Sequence, residues 1–310
     1  FQETRQLPYF AEITCHQETL THPARMAEAL ARCFQRARRH SAPVQLNLPR
    51  DLFCQLVDCE IPEPVAPGRQ PGDREAVSAA ARLLAAARFP VIVAGAGVVL
   101  SGAGDACRRL AERLDAPVAN SYLHNDSFPA SHALAVGPLG YQGWESAMTL
   151  VRQADVILAL GTRLNPFSTL PQHGIEYWTG AARVIQVDAD PDVLGGEAEF
   201  AADAFGEEGA RFVLAGLVGE PVLVPWRHRL AKRADVAICG DAQAVSEQLL
   251  DALAGHVAGA SGEARRKEVE ACKTAWLQKL AGWDHEEDDA GSTWNARARA
   301  EEPGKLSPRQ

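Results

Sequence analysis

Two polar loops contain the side chains with the greatest capacity for chemistry. His124, Asn125 and Asp126 follow one apolar run, and Arg163 and Asn165 follow another. An imidazole that titrates near neutral pH can act as an acid, a base or an anion partner. A guanidinium beside an amide suits a phosphate or a sulfonate. Loop capping by Asn and Asp, and a structural salt bridge for the arginine, explain the same residues equally well. The sequence leaves both interpretations open.

A glycine pair between a strand and a helix could approach a nucleotide. Gly95 and Gly97 follow a β-branched apolar run and open a helical pattern, where backbone N–H groups can bind phosphate. The third glycine of a dinucleotide fingerprint is absent, because position 100 is Leu and the next glycine is Gly102. We therefore prefer a tight strand-to-helix turn, and the indication of NAD binding is weak.

Metal and nucleophile motifs are not evident in the sequence. His16, His22 and His40 have no metal-ligand spacing and are expected at the surface. The 7 cysteines include no Cys-x-x-Cys pair, which disfavours both zinc and a disulfide framework. The acidic run 284–289 lacks the spacing of a calcium loop and is expected to be a solvated face. We predict no metal site from these patterns.

Length and charge restrict the class of protein. The 310 residues suffice for about two domains. The net charge of −9 argues against nucleic acid or an anionic membrane as the main partner. Neither a signal peptide nor a long apolar run occurs, and the cysteines are scattered, so a cytoplasmic protein is expected.

The elements that must position these loops alternate along the chain. Strand patterns occur at 43–49, 90–94, 117–119, 155–160, 183–188 and 236–239. Helical patterns occur at 22–39, 73–87, 95–114, 144–153, 242–254 and 263–281, and Asp73 is expected to cap the second of these helices. Alternating strands and helices predict an α/β fold with a Rossmann-like parallel sheet and right-handed crossovers.

Two segments interrupt this alternation. Prolines at 62, 64, 67 and 71 predict a stiff linker over residues 61–72. Residues 195–229 have weak periodicity and several glycines, so we interpret them as an atypical insertion of unknown conformation.

The loops at 123–128, 137–141 and 161–171 together resemble those of the sulfoacetaldehyde acetyltransferases, a family of thiamine-diphosphate enzymes similar to acetolactate synthase. Similar stretches occur at 1–3, 14–18, 43–51, 185–188 and 284–289. The loop 164–171 is the most specific of these, because the corresponding loop of acetolactate synthases has acidic residues that hold FAD.

The resemblance implies a division of the chain. Residues 1–60 would be the C-terminal part of a pyrimidine-binding domain, and residues 73–256 a central domain. Residues 257–310 would lead to a diphosphate-binding domain. The chain opens on Phe1 rather than Met and is expected to be a piece of a longer protein. Alone, it is expected to be inactive.

The resemblance also implies a reaction and its site. Phe1 and Gln2 match an active-site-lining pair, whereas the activating glutamate and the segment that holds Mg²⁺ and the diphosphate would lie outside the chain. Thiamine diphosphate and Mg²⁺ are the implied cofactors. Sulfoacetaldehyde and phosphate are the implied substrates, and a homo-oligomer (dimer or tetramer) is the implied assembly.

Two alternatives stay open from the sequence. The first is an acetolactate-synthase-like enzyme whose central domain binds FAD. The second is a non-catalytic nucleotide-binding or assembly module. The sequence does not decide whether the central domain holds a nucleotide.

Overall fold

The computed structural model describes residues 4–40, 42–58, 61, 63, 68–178, 180–195 and 234–290. The chain divides into two units, Phe1–Gly68 and Arg69–Gln310, and each is described by itself. Phe1, Gln2 and nearly all of the 195–229 segment lie outside the described residues.

Unit 1 is built on a pair of parallel strands. The strands are β1 (His16–Thr19) and β2 (Val44–Asn47), joined through helix α2 (Met26–His40). A short helix α1 (Leu7–Phe10) precedes them, and 3-10 turns occupy Ala11–Ile13, Pro23–Arg25 and Arg50–Cys54. Every residue of both strands is only half-buried. The predicted helix over 22–39 is confirmed, although its first turn is a 3-10 turn capped by His22.

Strand β1 was missed by the sequence patterns. Its residues are His16, Gln17, Glu18 and Thr19, none of which is apolar. The strand forms because its backbone pairs with β2, with His16 beside Val44 and Glu18 beside Leu46. Pairing with β2 therefore outweighed the weak preference of these residues for a strand.

Unit 2 contains the predicted parallel sheet. Its strands are β3 (Pro90–Ala94), β4 (Val118–Asn120), β5 (Ala135–Pro138), β6 (Val156–Leu160), β7 (Arg183–Asp188) and β8 (Val236–Cys239). The spatial order is β5-β4-β3-β6-β7-β8, and every neighbouring pair is parallel. The strand order reverses between β3 and β6, the position where doubly wound folds bind ligands. The expected Rossmann-like sheet is confirmed.

Helices cover both faces of this sheet. They are α3 (Arg74–Ala86), α4 (Ala96–Leu100), α5 (Gly104–Leu114), α6 (Glu145–Gln153), α7 (Pro166–Thr169), α8 (Ala242–Ala252) and α9 (Gly259–Ala290). As predicted, Asp73 caps α3, with its carboxylate accepting from the amides of Glu75 and Ala76. The predicted single helix over 95–114 was wrong, because Gly102 takes a φ of 69° and separates α4 from α5.

The core has two layers because side chains alternate along each strand. Ile92 and Leu158 pack with α3, α5 and α8 on one face. Val91 and Ile157 pack with α6 and α9 on the other. Residues of β3 and β6 are all buried, as expected for a parallel sheet covered on both sides.

Helix α9 is longer than the predicted 263–281, and a buried guanidinium attaches it to the rest of unit 2. Arg265 is 4% exposed and donates to the backbone carbonyls of Leu114, Asp115 and Arg88 at 2.7, 3.2 and 2.6 Å. Two of these carbonyls lie at the C-terminal end of α5, where a cation is favourable. The ring of Trp276 lies 6.4 Å from that of Trp144. These contacts hold α9 on the face of the sheet that contains Val91 and Ile157.

Candidate functional site

Three hydroxyl groups join the loops that follow β4 and β6. Ser121 Oγ lies 3.1 Å from Thr162 Oγ1 and 2.8 Å from Ser168 Oγ. All three residues are buried. Because buried hydroxyls are costly to leave unpaired, this network holds the two loops together at the carboxyl edge of the sheet.

The crevice between β3 and β6 is closed by backbone contact. The amide of Gly95 donates to Leu160 O at 3.1 Å, and that of Gly97 donates to Gly161 O at 2.8 Å. A Cβ on Gly97 would lie 2.6 Å from the Cα of Gly161. The two glycines therefore serve close packing, and these two amides have no free hydrogen to offer a phosphate. The tight-turn interpretation fits the structure, whereas the NAD interpretation does not.

A second glycine contact brings the loops after β5 and β6 together. Gly140 has a φ of 79°, and a Cβ there would lie 1.8 Å from the carbonyl oxygen of Phe167. The amide of the next residue, Tyr141, donates to that same carbonyl at 2.8 Å. Only glycine permits so close an approach of two backbones.

Three aromatic rings lie together on these loops. The Tyr122 ring stacks on Phe167 with centroids 5.7 Å apart, and Tyr141 meets both rings edge-on. We call these residues the aromatic group. All three are partly accessible to solvent, so the group presents an aromatic patch at the carboxyl edge. The sequence analysis missed it, although the rings follow three successive strands along the chain.

Backbone strain is concentrated in the same loops. Among the described residues that are not glycine, positive φ values occur at Leu123 (68°), Gln142 (56°), Leu164 (49°), His173 (55°) and Asp115 (49°). The first four lie in loops at or near the carboxyl edge, while Asp115 ends α5. A left-handed residue costs about 1–2 kcal/mol, and such strain is typical of functional loops. The loops are thus held in conformations that local preferences oppose.

The first predicted loop lies at this edge. His124 is partly exposed, while Asn125 and Asp126 are exposed. The backbone carbonyl of His124 accepts a bond of 3.3 Å from Asn120 Nδ2. A buried asparagine therefore supports the loop from below, and the polar side chains of the loop face solvent.

The second predicted loop has one structural residue and one electrostatic residue. Asn165 caps α7, because its Oδ1 accepts from the amide of Ser168 at 2.9 Å. Arg163 is exposed and attracts the carboxylate of Asp188 at the end of β7. Burial raises the pKa of Asp188, and the positive charge of Arg163 opposes that shift. The structure brings both loops to one edge, since β4 and β6 flank β3 in the sheet.

Comparison with known proteins places this fold in a family. Residues 77–208 match the family model described as "Thiamine pyrophosphate enzyme, central domain". The whole chain is 48% identical to a sulfoacetaldehyde acetyltransferase of Castellaniella defragrans and covers 46% of it. The chain contains a thiamine-diphosphate enzyme central domain. The resemblance inferred from the loops is confirmed.

More distant relatives agree with this family. The chain is 35% identical to a probable acetolactate synthase large subunit of Methanocaldococcus jannaschii over 63% of this chain and 34% of that protein. The crystal structure of benzoylformate decarboxylase from Polynucleobacter necessarius has a TM-score of 0.56 at 19% identity, covering 81% of this chain and 43% of that one. That likeness concerns the fold alone. The chain spans about half the length of the sulfoacetaldehyde acetyltransferases it matches.

The described part of the carboxyl edge does not fit a diphosphate with its Mg²⁺. The amides of Gly95 and Gly97 are already bonded to backbone carbonyls. In the part of the chain that the structure describes, the one cluster with metal-ligand geometry lies in unit 1.

Among the residues that the structure describes, no helix is both apolar and long enough to cross a membrane.

Proposed function

We propose that this chain is part of a thiamine-diphosphate-dependent acyltransferase that converts sulfoacetaldehyde and phosphate into acetyl phosphate and sulfite. The observation that supports this most directly is the 48% identity, across the whole chain, to an enzyme of that name. The matched region spans the whole chain and so includes the loops at the carboxyl edge, where several residues have positive φ values. The proposal extends to the cytoplasm as its location and to a homo-oligomer, because the family's active site lies between subunits.

The two units correspond to different domains of the longer enzyme in this proposal. Residues 1–60 form the C-terminal part of a pyrimidine-binding domain, residues 61–72 a linker, and residues 73–256 the central domain. Residues 257–310 lead to the diphosphate-binding domain. The half-buried strands of unit 1 support its assignment to a larger domain. So do the exposed side chains of Phe34 (65%) and Phe53 (71%), which a larger domain would cover.

The cofactors are bound, in this proposal, by residues outside the described part of the chain. Thiamine diphosphate supplies the carbanion chemistry in enzymes of this class. The described residues do not form a site for its diphosphate or for Mg²⁺, so we assign them no step that involves the cofactor. The hydroxyl network and the glycine contacts among them hold the loops at the carboxyl edge in one conformation.

Both substrates are anions and require positive or amide partners. We propose Gln2, next to Phe1, as the residue that orients the substrate. Arg163 and His124 are proposed anion partners, since both side chains reach solvent at the carboxyl edge. Asn165 is used as a helix cap, which leaves its side chain less available for a ligand.

The test is an assay of the longer protein with thiamine diphosphate and Mg²⁺. We expect sulfoacetaldehyde and phosphate to yield acetyl phosphate and sulfite in equal amounts. Acetolactate formed from pyruvate by a protein with bound flavin would instead establish the acetolactate-synthase alternative. Nucleotide binding without turnover would establish the non-catalytic alternative. The 310-residue chain alone is expected to be inactive, and acetyl phosphate formation by it would contradict the proposed division of the site.

The role of Gln2 is tested in the same longer protein. Gln2→Ala should lower kcat/KM by about tenfold or more, because a hydrogen bond to a charged group contributes about 1.5–3 kcal/mol. Gln6→Ala is the matched control, since Gln6 is an exposed amide four positions along the chain. Equal kinetics for both variants would reject the role.

A further inference from the structure

Three side chains of different metal-binding types meet between β1 and α2 in unit 1. They are His16 and Glu18, two residues apart on β1, and Cys33 on the inner side of α2. Their ligand atoms all lie within 4.8 Å of one another, and His16 Nε2 is 3.4 Å from a Glu18 carboxylate oxygen. We propose that His16, Glu18 and Cys33 form a site for a thiophilic divalent cation such as Zn²⁺.

The separation of the three ligand atoms is close to what a tetrahedral ion requires. Zinc binds N, O and S at about 2.0–2.3 Å, which places tetrahedral ligand atoms roughly 3.3–3.8 Å apart. The His16–Glu18 separation of 3.4 Å already falls in that range. A shift of about 1 Å at most, within the reach of a side-chain rotation, would bring Cys33 Sγ into it as well.

The donor set determines which ion the site would prefer. Imidazole nitrogen and thiolate sulfur favour Zn²⁺, whereas Mg²⁺ and Ca²⁺ require several oxygen ligands. Three protein ligands leave a fourth position for water. That position is reachable, because the side chains of His16 and Glu18 are 25% and 21% exposed. As the metal–sulfur bond forms, the Cys33 thiol releases its proton to solvent.

Arg32 is the competitor for this site. Its guanidinium donates to both carboxylate oxygens of Glu18, at 2.5 and 2.9 Å. It also donates to Glu28 at 2.7 Å, so it keeps an anionic partner when a metal takes Glu18. The site therefore exchanges one cation for another, and Arg32 holds the carboxylate in place when no metal is bound.

A metal here would link a strand to the helix that crosses over it. Leu20, Pro23, Ala29 and Cys33 are the residues classed as buried within the described part of unit 1, so its apolar core is small. A ligand that binds only the folded state stabilises it, and small cores gain the most from such a link. The expected consequence is a stabilisation of unit 1 by Zn²⁺ that Mg²⁺ does not reproduce.

The experiment measures Zn²⁺ affinity of the 310-residue chain by competition with a chromophoric chelator. Cys33→Ser should weaken binding by about tenfold or more, because even the loss of an outer-shell partner typically costs about 10–100-fold in metal affinity. Cys15→Ser is the matched control, because Cys15 is an exposed thiol beside His16 whose sulfur points toward the carbonyls of Arg36 and Ala42. It should leave the affinity unchanged.

Arg32→Met provides the decisive second variant. Removal of the competing guanidinium should raise Zn²⁺ affinity by about tenfold, since a positive charge within a few ångströms repels the incoming cation and occupies its carboxylate ligand. With Co²⁺ as the probe, thiolate-to-metal charge-transfer absorption should appear in the wild-type chain and in Arg32→Met and disappear in Cys33→Ser. No Zn²⁺ binding by the wild-type chain and Arg32→Met would overturn the proposal. Equal losses in Cys15→Ser and Cys33→Ser, or no thiolate absorption in Arg32→Met, would overturn it too.

Discussion

The two sheets of this chain are built from the same parallel pairing but are covered very differently. Residues of β6 in unit 2 are all 5% exposed or less. Residues of β1 and β2 in unit 1 are all half-buried. Unit 2 has helices on both faces of its sheet and a core on each side. The difference shows that parallel pairing alone does not make a self-sufficient core.

Ion pairs, rather than a large apolar core, link the strand and the helix of unit 1. Glu18, Arg32 and Glu28 form a chain of ion pairs between β1 and α2. In unit 2, ion pairs such as Arg108–Glu112 lie on outer helix surfaces, and large apolar clusters pack against both faces of the sheet. Because exposed ion pairs contribute about 0–1 kcal/mol each, unit 1 is expected to be the less stable of the two.

The largest expected difference comes from matched core truncations. Leu158→Ala on β6 should destabilise unit 2 by about 3–5 kcal/mol, because a fully buried leucine leaves a cavity. Leu46→Ala on the half-buried β2 should cost about 1 kcal/mol, since water already reaches the site. Native-state hydrogen exchange of the amides of β2 and β6 measures both. Equal losses would mean that the two sheets are equally well packed.

The closed crevice of unit 2 is tested by Gly161→Ala. Gly161 has a φ of 60°, and its Cβ would lie 2.6 Å from the Cα of Gly97. Strain and overpacking together should cost about 2–5 kcal/mol. Gly102→Ala is the control, because its φ is 69° and no atom lies within 4 Å of its Cβ. Denaturant unfolding should show a loss of only about 1 kcal/mol there, and equal losses would refute the close-packing role.

The attachment of α9 is tested by Arg265→Met. Three backbone carbonyls would lose a charged donor, and we expect a loss of about 2–3 kcal/mol. Arg266→Met, next to it, removes a largely exposed partner of Asp115 and should cost less than about 1 kcal/mol. Thermal unfolding of both variants makes the comparison. A larger loss for Arg266 would show that α9 is held by its surface charges instead.

The smallest expected effect concerns the loop after β6. Asn165→Ala removes the cap of α7 and should cost about 1 kcal/mol. Asn165→Asp keeps an acceptor for the amide of Ser168 and should cost less than half as much. Hydrogen exchange of that amide is the measurement. Unchanged exchange in Asn165→Ala would leave the residue available for the ligand role first considered for it.

Much of unit 2 follows from local patterns. The run at 90–94 was located from the sequence because a buried parallel strand is a continuous apolar segment, and the strand at 183–188 because it is rich in β-branched residues. The cap at Asp73 was likewise evident from its residue type. Strand β1 was not predicted, since its side chains are all polar and it becomes a strand only by pairing with β2.

The loops at the carboxyl edge were predicted only in part. Strand-end loops containing His124 and Arg163 were located correctly, because parallel strands place their carboxyl ends on one edge. The strained backbone at Leu123 and Leu164, and the ring contacts of Tyr122 with Tyr141 and Phe167, depend on how three loops pack against each other. Spacing along the chain does not encode such contacts.

The residue types and their order were sufficient to predict the α/β class, the parallel sheet and the family. Hydrophobic periodicity and loop motifs are local properties that can be read along the chain. Three-dimensional packing alone closed the crevice between Gly97 and Gly161 and brought Cys33 to His16 and Glu18. Both are contacts between segments far apart in the chain. Such contacts are selected by the burial and pairing of whole elements, so no short stretch of sequence specifies them.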